Sequence, residues 1–194
     1  MGCAAASTTS STDAANGSST TSAAAPATSA PGTTEAPTTT KKPVDPNEDF
    51  IATEKDFVNL HDMTPIRGFY LDNTIGHLPE AIEVANNADG GVYPVGTIIQ
   101  LVPQEAMVKR KKGFDPASLD WEFFELKATP AGTEILKRGG SEIINRFGGS
   151  CADCHKKAKP QFDFICENTH GCDELPIPHE AFVGIQEADP RPRT

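Results

Sequence analysis

The stretch "WEFFELKATPAGTEILKRGG" (121–140) has the composition of two neighbouring β-strands. Its first half, 121–130, is rich in aromatic and β-branched residues and ends in proline, which is typical of a strand. A turn at Pro130-Ala131-Gly132 then leads into a second predicted strand at 133–138. The stretch therefore predicts an antiparallel hairpin.

Two further segments, "GTIIQLVP" (96–103) and "GFYLDN" (68–73), also read as strands. A short helix is predicted in "HLPEAIEVANNADGG" (77–91), where Ile82 and Ala85 share a face. Because strands and helices do not alternate strictly, the sequence predicts the α+β class, with a mainly antiparallel sheet and a few short helices.

The composition divides the chain into three parts. Residues 1–43 are nearly all Ala, Ser, Thr, Gly and Pro and are expected to form a disordered linker. Residues 44–185 are expected to form the folded domain, and 186–194 a disordered tail. Lys and Arg number 17 against 27 Asp and Glu, a net charge of −10, which disfavours a nucleic-acid binder because phosphate binding needs a basic surface.

The beginning of the sequence, "MGCAAAS", resembles the mature start of a bacterial lipoprotein. In such proteins the cysteine, here Cys3, is lipidated and followed by a tether of small residues. The apolar segment expected before Gly2 is absent from the sequence, and the alternative is that Cys3 is a plain thiol in a flexible tail. No apolar run approaches the roughly 20 residues needed to cross a bilayer.

The segment "SCADCHKKAKP" (150–160) carries the most specific motif. Ser150 is a suitable helix N-cap and Pro160 a suitable stop, so the segment is predicted to be helical. Cys151, Cys154 and His155 then stand at i, i+3 and i+4 on one face. C-x-x-C-H is the attachment pattern of c-type haem, in which both thiols bond to the macrocycle and the histidine binds iron.

Other interpretations of the cysteines remain open. A thioredoxin-like dithiol should follow a strand in a βαβ unit, which the sequence does not show, and a chance occurrence is possible. A four-thiolate zinc site is the stronger alternative, although it leaves His155 without a role. Its ligands would be Cys151, Cys154, Cys166 and Cys172, with His170 as a spare. If haem instead takes the first two thiols, Cys166 and Cys172 are free to form a disulfide in an oxidising compartment.

The segment "NRFGGSCADCHKKAKPQFDFICENTHGC" (145–172), with "DWEFFEL" (120–126) and "VGTIIQLVP" (95–103), resembles the cytochrome P-460 / cytochrome c-prime-beta family. The resemblance covers roughly residues 60–178. It implies a mainly antiparallel β-sheet domain with a few helices, often a homodimer. It also implies one covalent haem c with five-coordinate iron, His155 on the proximal side and an open distal side.

The family divides by chemistry. Cytochromes P-460 oxidise hydroxylamine, carry a lysine cross-linked to the haem, and have a distal carboxylate and arginine. The c-prime-beta members lack the cross-link and bind nitric oxide or carbon monoxide. The position that matches the cross-linking lysine is Leu101, and Lys109 is the nearest alternative if the register shifts.

The distal carboxylate and arginine of the family match Glu105 and Arg67. If Glu105 reaches the open side of the haem, it is a candidate base toward an N–H or O–H of a bound ligand. The alternative is that Glu105 is a solvated strand-end charge and that Arg67 pairs with a surface acid. Three aromatic residues are equally suited to the walls of a haem pocket and to a core, namely Phe69, Phe123 and Phe124.

These observations together predict a mono-haem c-type cytochrome that binds nitric oxide or carbon monoxide, transfers single electrons, or does both. The alternatives are a hydroxylamine-oxidising enzyme and a zinc-stabilised binding module. The expected partners are a diatomic gas or small nitrogen oxide, a redox protein and a second copy of the chain. The expected location is the bacterial periplasm or a membrane facing an oxidising compartment, with Cys3 as the lipid anchor.

Overall fold

The computed structural model describes residues 42, 45, 48–146, 148–175 and 177–194. The linker predicted at 1–43, apart from Lys42, and the lipidation predicted at Cys3 lie outside the described residues.

Six strands form one antiparallel sheet in which the spatial order follows the sequence order, so that each strand pairs with the next. The strands are β1 (Thr64–Ile66), β2 (Phe69–Asn73), β3 (Thr97–Gln100), β4 (Glu105–Lys109), β5 (Trp121–Thr129) and β6 (Gly132–Gly139). With the short helices described below, this sheet confirms the predicted mainly antiparallel α+β class.

The predicted hairpin is β5 and β6, which pair from Thr129 opposite Gly132. Gly132 has a φ of 123°, a conformation that L-residues with a side chain rarely adopt, so glycine is needed where the chain reverses. The Ala131 N–H donates to Thr129 Oγ1 across the turn at 3.2 Å. The strands predicted at 68–73 and 96–103 are also present, although β3 ends at Gln100.

In the part of the chain that the structure describes, three α-helices accompany the sheet: α1 (Leu78–Asn86), α2 (Cys151–His155) and α3 (His179–Glu187). Helix α1 was predicted, and it buries Ala81 and Ala85 against the sheet. Single 3₁₀ turns occupy Glu54–Asp56, Leu60–Asp62, Pro116–Ser118, Pro160–Phe162 and Asn168–His170. Among the described residues, no helix has the length and apolar character required to span a membrane.

Apolar side chains cover both faces of the sheet because neighbouring strand residues point to opposite sides. The front face is the side that carries Leu71, Ile99, Met107 and Phe123, and it packs against α1, α2 and the segment after α2. The back face is the side that carries Ile98, Val108, Phe124 and Leu126, and it packs against the 52–63 segment. The alternation is sharpest in β5, where Phe123 and its neighbour Phe124 belong to different clusters.

The tail expected to be disordered at 186–194 packs against the domain, which corrects that prediction. The Gln186 side chain donates to the Leu101 carbonyl at 2.8 Å. Arg191 is 3% exposed and donates to the carbonyl of Phe57 at 3.1 Å. Its charge is paired with Asp189 at 2.6 Å, which offsets the cost of removing a guanidinium from water.

Candidate functional site

Helix α2 presents the Cys-x-x-Cys-His motif, and its start agrees with the sequence. The Ser150 hydroxyl accepts the Asp153 N–H at 3.1 Å, so Ser150 is the N-cap. The helix ends at His155, five residues before the predicted stop. After His155 the N–H groups of Lys157 and Ala158 donate only three residues back, and the Lys159 N–H donates to the His170 carbonyl at 2.8 Å, so the α-helical pattern stops.

The two thiols of α2 are in different environments. Both are free, with Cys151 half-buried against the front-face core and Cys154 exposed. Burial raises the pKa of the Cys151 thiol to about 11, with a further contribution from the negative charge of Glu105. At neutral pH Cys151 is therefore a protonated thiol.

The His155 imidazole is oriented by a backbone carbonyl. Its Nδ1 lies 2.8 Å from the Phe164 oxygen, which can only accept, so Nδ1 carries the proton and Nε2 keeps its lone pair. The ring packs 5.4 Å from the ring of Phe123 on the front face. Burial lowers the pKa of His155, which favours the neutral form. A neutral imidazole with Nδ1–H bonded to a carbonyl is the usual form of a metal-binding histidine.

Glu105 lies on the front face, at the start of β4 and directly opposite Glu125 of β5. Its Oε1 is buried and has no hydrogen-bond partner, whereas Glu125 is paired with Lys137 at 2.8 Å. Burial raises the pKa of Glu105. Glu105 shares its face of β4 with Met107, and Cys151 packs against the core on that face, so Glu105 lies on the side of the sheet that faces the motif. A buried acceptor without a partner is uncommon and suits a bound donor.

Arg67 is not part of this group. It sits in the turn between β1 and β2 and makes a bidentate ion pair with Glu167, at 2.8 and 2.6 Å. It also donates to the Ala85 carbonyl at 2.8 Å, and its side chain is 45% exposed. The structure therefore agrees with the alternative in which Arg67 pairs with an acid.

Cys166 and Cys172 form a disulfide with a Cα–Cα distance of 5.5 Å, as the sequence allowed. The bond removes two thiolates from the four expected at a zinc site. Within the ranges that the structure describes, no group of three or more His, Cys, Asp or Glu side chains is arranged to hold a metal ion.

The two positions weighed for a cross-linking lysine have other roles. Leu101 packs against the front-face core. The Lys109 Nζ lies 2.7 Å from both Asp163 Oδ1 and the Leu119 carbonyl, and the side chain is buried. The Lys109 amine already contacts a carboxylate and a carbonyl, and leucine has no amine, so neither position supplies a free amine.

Sequence reasoning missed the importance of Asp163. This buried aspartate forms an ion pair with Lys109, and its backbone carbonyl accepts the Trp121 Nε1–H at 2.7 Å. It precedes Phe164, whose carbonyl orients His155. A carboxylate between the aromatic residues of "QFDF" was the available signal, because a charge in apolar surroundings requires a partner.

The described part of the chain has cavities outside α2. A small one is bordered by Tyr93, Phe162 and His170, and an open one by Phe114 and Glu122, among other residues. The motif residues line neither cavity, so the candidate site is identified from the motif side chains and not from a cavity.

No family model, curated protein or solved structure matches this chain.

Proposed function

We propose that this chain is a mono-haem c-type cytochrome in which Cys151 and Cys154 attach the haem and His155 holds the iron. Its proposed activity is to bind a small diatomic ligand such as nitric oxide or carbon monoxide, or to transfer single electrons. The observation that carries the proposal is the His155–Phe164 hydrogen bond beside two free thiols. This combination leaves Nε2 available as a metal ligand on a helix with the spacing of haem attachment.

The donor set fits the group. Each thiol can add across one vinyl group, its sulfur bonding to carbon and its hydrogen passing to the neighbouring carbon. When bound, the haem supplies an iron that takes diatomic gases and exchanges single electrons. His155 contributes a neutral nitrogen ligand, and the Phe123 ring packs beside the imidazole with ring centroids 5.4 Å apart.

The proposed open position is consistent with the packing of two other histidines. The His170 ring is stacked on the Phe162 ring, with centroids 3.7 Å apart, and the Nε2 of His77 lies 2.8 Å from Glu48. Both histidines are buried away from the solvent, where their packing restricts movement toward a ligand site.

The disulfide between Cys166 and Cys172 supports an oxidising compartment. We therefore propose the periplasm or a membrane surface facing it, with a redox protein as electron partner. Lipid attachment at Cys3 and association with a second copy belong to the same proposal.

Hydroxylamine oxidation is a second candidate, favoured by one observation. The unpartnered, buried oxygen of Glu105 can accept a proton from an N–H or O–H of a ligand at the site. The commitment of Lys109 to Asp163 weighs against the lysine cross-link of that enzyme class.

The test is to express the chain in a host that attaches haem and to record intact mass and absorption spectra. We expect the mass of one covalent haem, its loss in Cys151→Ala/Cys154→Ala, and a ferrous spectrum that changes on adding carbon monoxide. A colourless protein, or a low-spin six-coordinate spectrum before ligand is added, contradicts the proposal. Hydroxylamine consumption above that of the haem-free double variant, abolished by Glu105→Gln, selects the second candidate.

A further inference from the structure

The carbonyl that orients His155 lies in an unusual turn. Asp163 and Phe164 have φ angles of 48° and 69°, which place two consecutive residues with side chains in the left-handed region. Residues other than glycine avoid this region because Cβ crowds the backbone. Such a conformation persists only where the surroundings hold it.

Three groups hold the turn from outside. Lys109 Nζ lies 2.7 Å from Asp163 Oδ1, and the Tyr93 N–H donates to Oδ2 at 2.9 Å. The Trp121 Nε1–H donates to the Asp163 backbone carbonyl at 2.7 Å. We call Lys109, Trp121 and Asp163 the Asp163 clamp.

Two residues of the clamp belong to the sheet. Lys109 and Trp121 are directly opposite each other at the ends of β4 and β5, and the ammonium group lies 5.0 Å from the indole centroid. Lys109 and Asp163 side chains are 7% and 5% exposed. Since the ion pair is buried, removing Lys109 leaves the Asp163 side chain without its cationic partner, and the turn loses one of the three groups that hold it.

We propose that the Asp163 clamp positions His155: by fixing the Phe164 carbonyl, it sets the orientation of the imidazole and the electron density that Nε2 offers to iron. This inference rests on the proposed function, because it concerns the ligand of that iron. Among the described residues, no hydrogen bond or ion pair joins Lys109, Trp121 or Asp163 to the imidazole or the thiols, so these three residues act through the backbone of Phe164.

The expected consequence is a change in redox balance. A hydrogen bond from Nδ1–H to a carbonyl makes the imidazole more basic, which favours the ferric state. If a loosened clamp weakens this bond so that the preference of His155 for ferric over ferrous iron falls roughly tenfold, the reduction potential rises by about 59 mV.

The matched pair of variants is Lys109→Met and Arg110→Met. Arg110 is the next residue, is equally buried, and pairs with Glu122 at 2.6 Å, away from the Asp163 turn. In the haem-loaded protein we expect Lys109→Met to raise the reduction potential and to lower the iron–imidazole stretching frequency of the ferrous form. Arg110→Met should reduce stability while leaving both readouts unchanged.

Trp121→Phe is the second variant, since it keeps an aromatic ring and the ion pair but removes one donor to Asp163. It should shift both readouts in the same direction as Lys109→Met and by a smaller amount. Equal shifts in Lys109→Met and Arg110→Met, or no shift in Lys109→Met and Trp121→Phe, overturn the inference.

A readout that does not need haem separates this inference from the proposed function. The ¹⁵N chemical shift of His155 Nδ1 reports its hydrogen bond to Phe164. If the protein carries no haem, the proposed function fails, and the clamp is judged from this shift in Lys109→Met against Arg110→Met. If haem is present and the shift is the same in wild type and Lys109→Met, only the clamp is refuted.

Discussion

Replacing Phe123 and Phe124 by leucine, one at a time, tests the division of the sheet into two faces. The two side chains are 3% and 2% exposed, so their burial is closely matched. Phe123 packs beside His155 at 5.4 Å, and Phe124 packs against Phe57 at 4.9 Å on the back face.

The expected loss of stability is similar for both variants. Phenylalanine to leucine removes about three buried carbon atoms, and at about 0.8 kcal/mol for each the free energy of unfolding falls by about 2 kcal/mol. That loss is a sizeable part of the stability of an ordinary domain but leaves it folded. Urea unfolding followed by far-ultraviolet circular dichroism measures it.

The two variants should differ at His155. The ring protons of His155 should shift in the NMR spectrum of Phe123→Leu, because an aromatic ring in contact with the imidazole is lost. They should stay in place in Phe124→Leu. Equal His155 shifts in the two variants would falsify the assignment of neighbouring residues to opposite faces.

Three further predictions concern single features of the site. Cys166→Ser/Cys172→Ser should lower the free energy of unfolding by about 2.4 kcal/mol from the lost loop constraint, measured by chemical denaturation; a protein as stable as wild type contradicts this. Burial raises the pKa of Glu105, so the folded state binds the proton more tightly than the unfolded state does. The contribution of this proton to the free energy of unfolding is fully present below the unfolded pKa of about 4.3. It is lost as the pH rises through the folded pKa. Glu105→Gln should make the fall in stability above that pH shallower, and an unchanged profile in urea titrations at several pH values rejects the burial argument. Arg67→Gln removes a partly exposed ion pair with Glu167 and should change stability by less than about 1 kcal/mol without altering carbon monoxide binding; a large loss of binding would restore Arg67 to the site.

The sequence predicted the parts of the fold that local chemistry determines. The β5–β6 hairpin depends on its aromatic strand and on Gly132, and both are visible in the letters. Strand β4 (Glu105–Lys109) was not predicted, because charged residues at both ends leave only three apolar positions. The buried Lys109 is explained only by Asp163, which the folded chain brings to it from a distant segment.

The candidate site divides in the same way. Cys151, Cys154 and His155 follow from spacing alone, and the Ser150 cap is local. The clamp at Asp163 could not be derived, because Lys109 and Trp121 lie on strands that are far from Asp163 in the sequence. Arg191 shows the same limitation: "DPRPRT" (189–194) has the composition of a tail, yet its guanidinium is buried among residues from distant segments.

The alternation along β5 places neighbouring side chains on two different sides of the sheet. Odd-numbered positions from 121 to 125 contact the motif or lie beside its neighbours, whereas Glu122 and Phe124 face the opposite core. Substitutions at the even positions change the back face, and substitutions at the odd positions change the face against which the motif packs. The pleat thus allows one side of the sheet to be altered while the residues on the other side are kept.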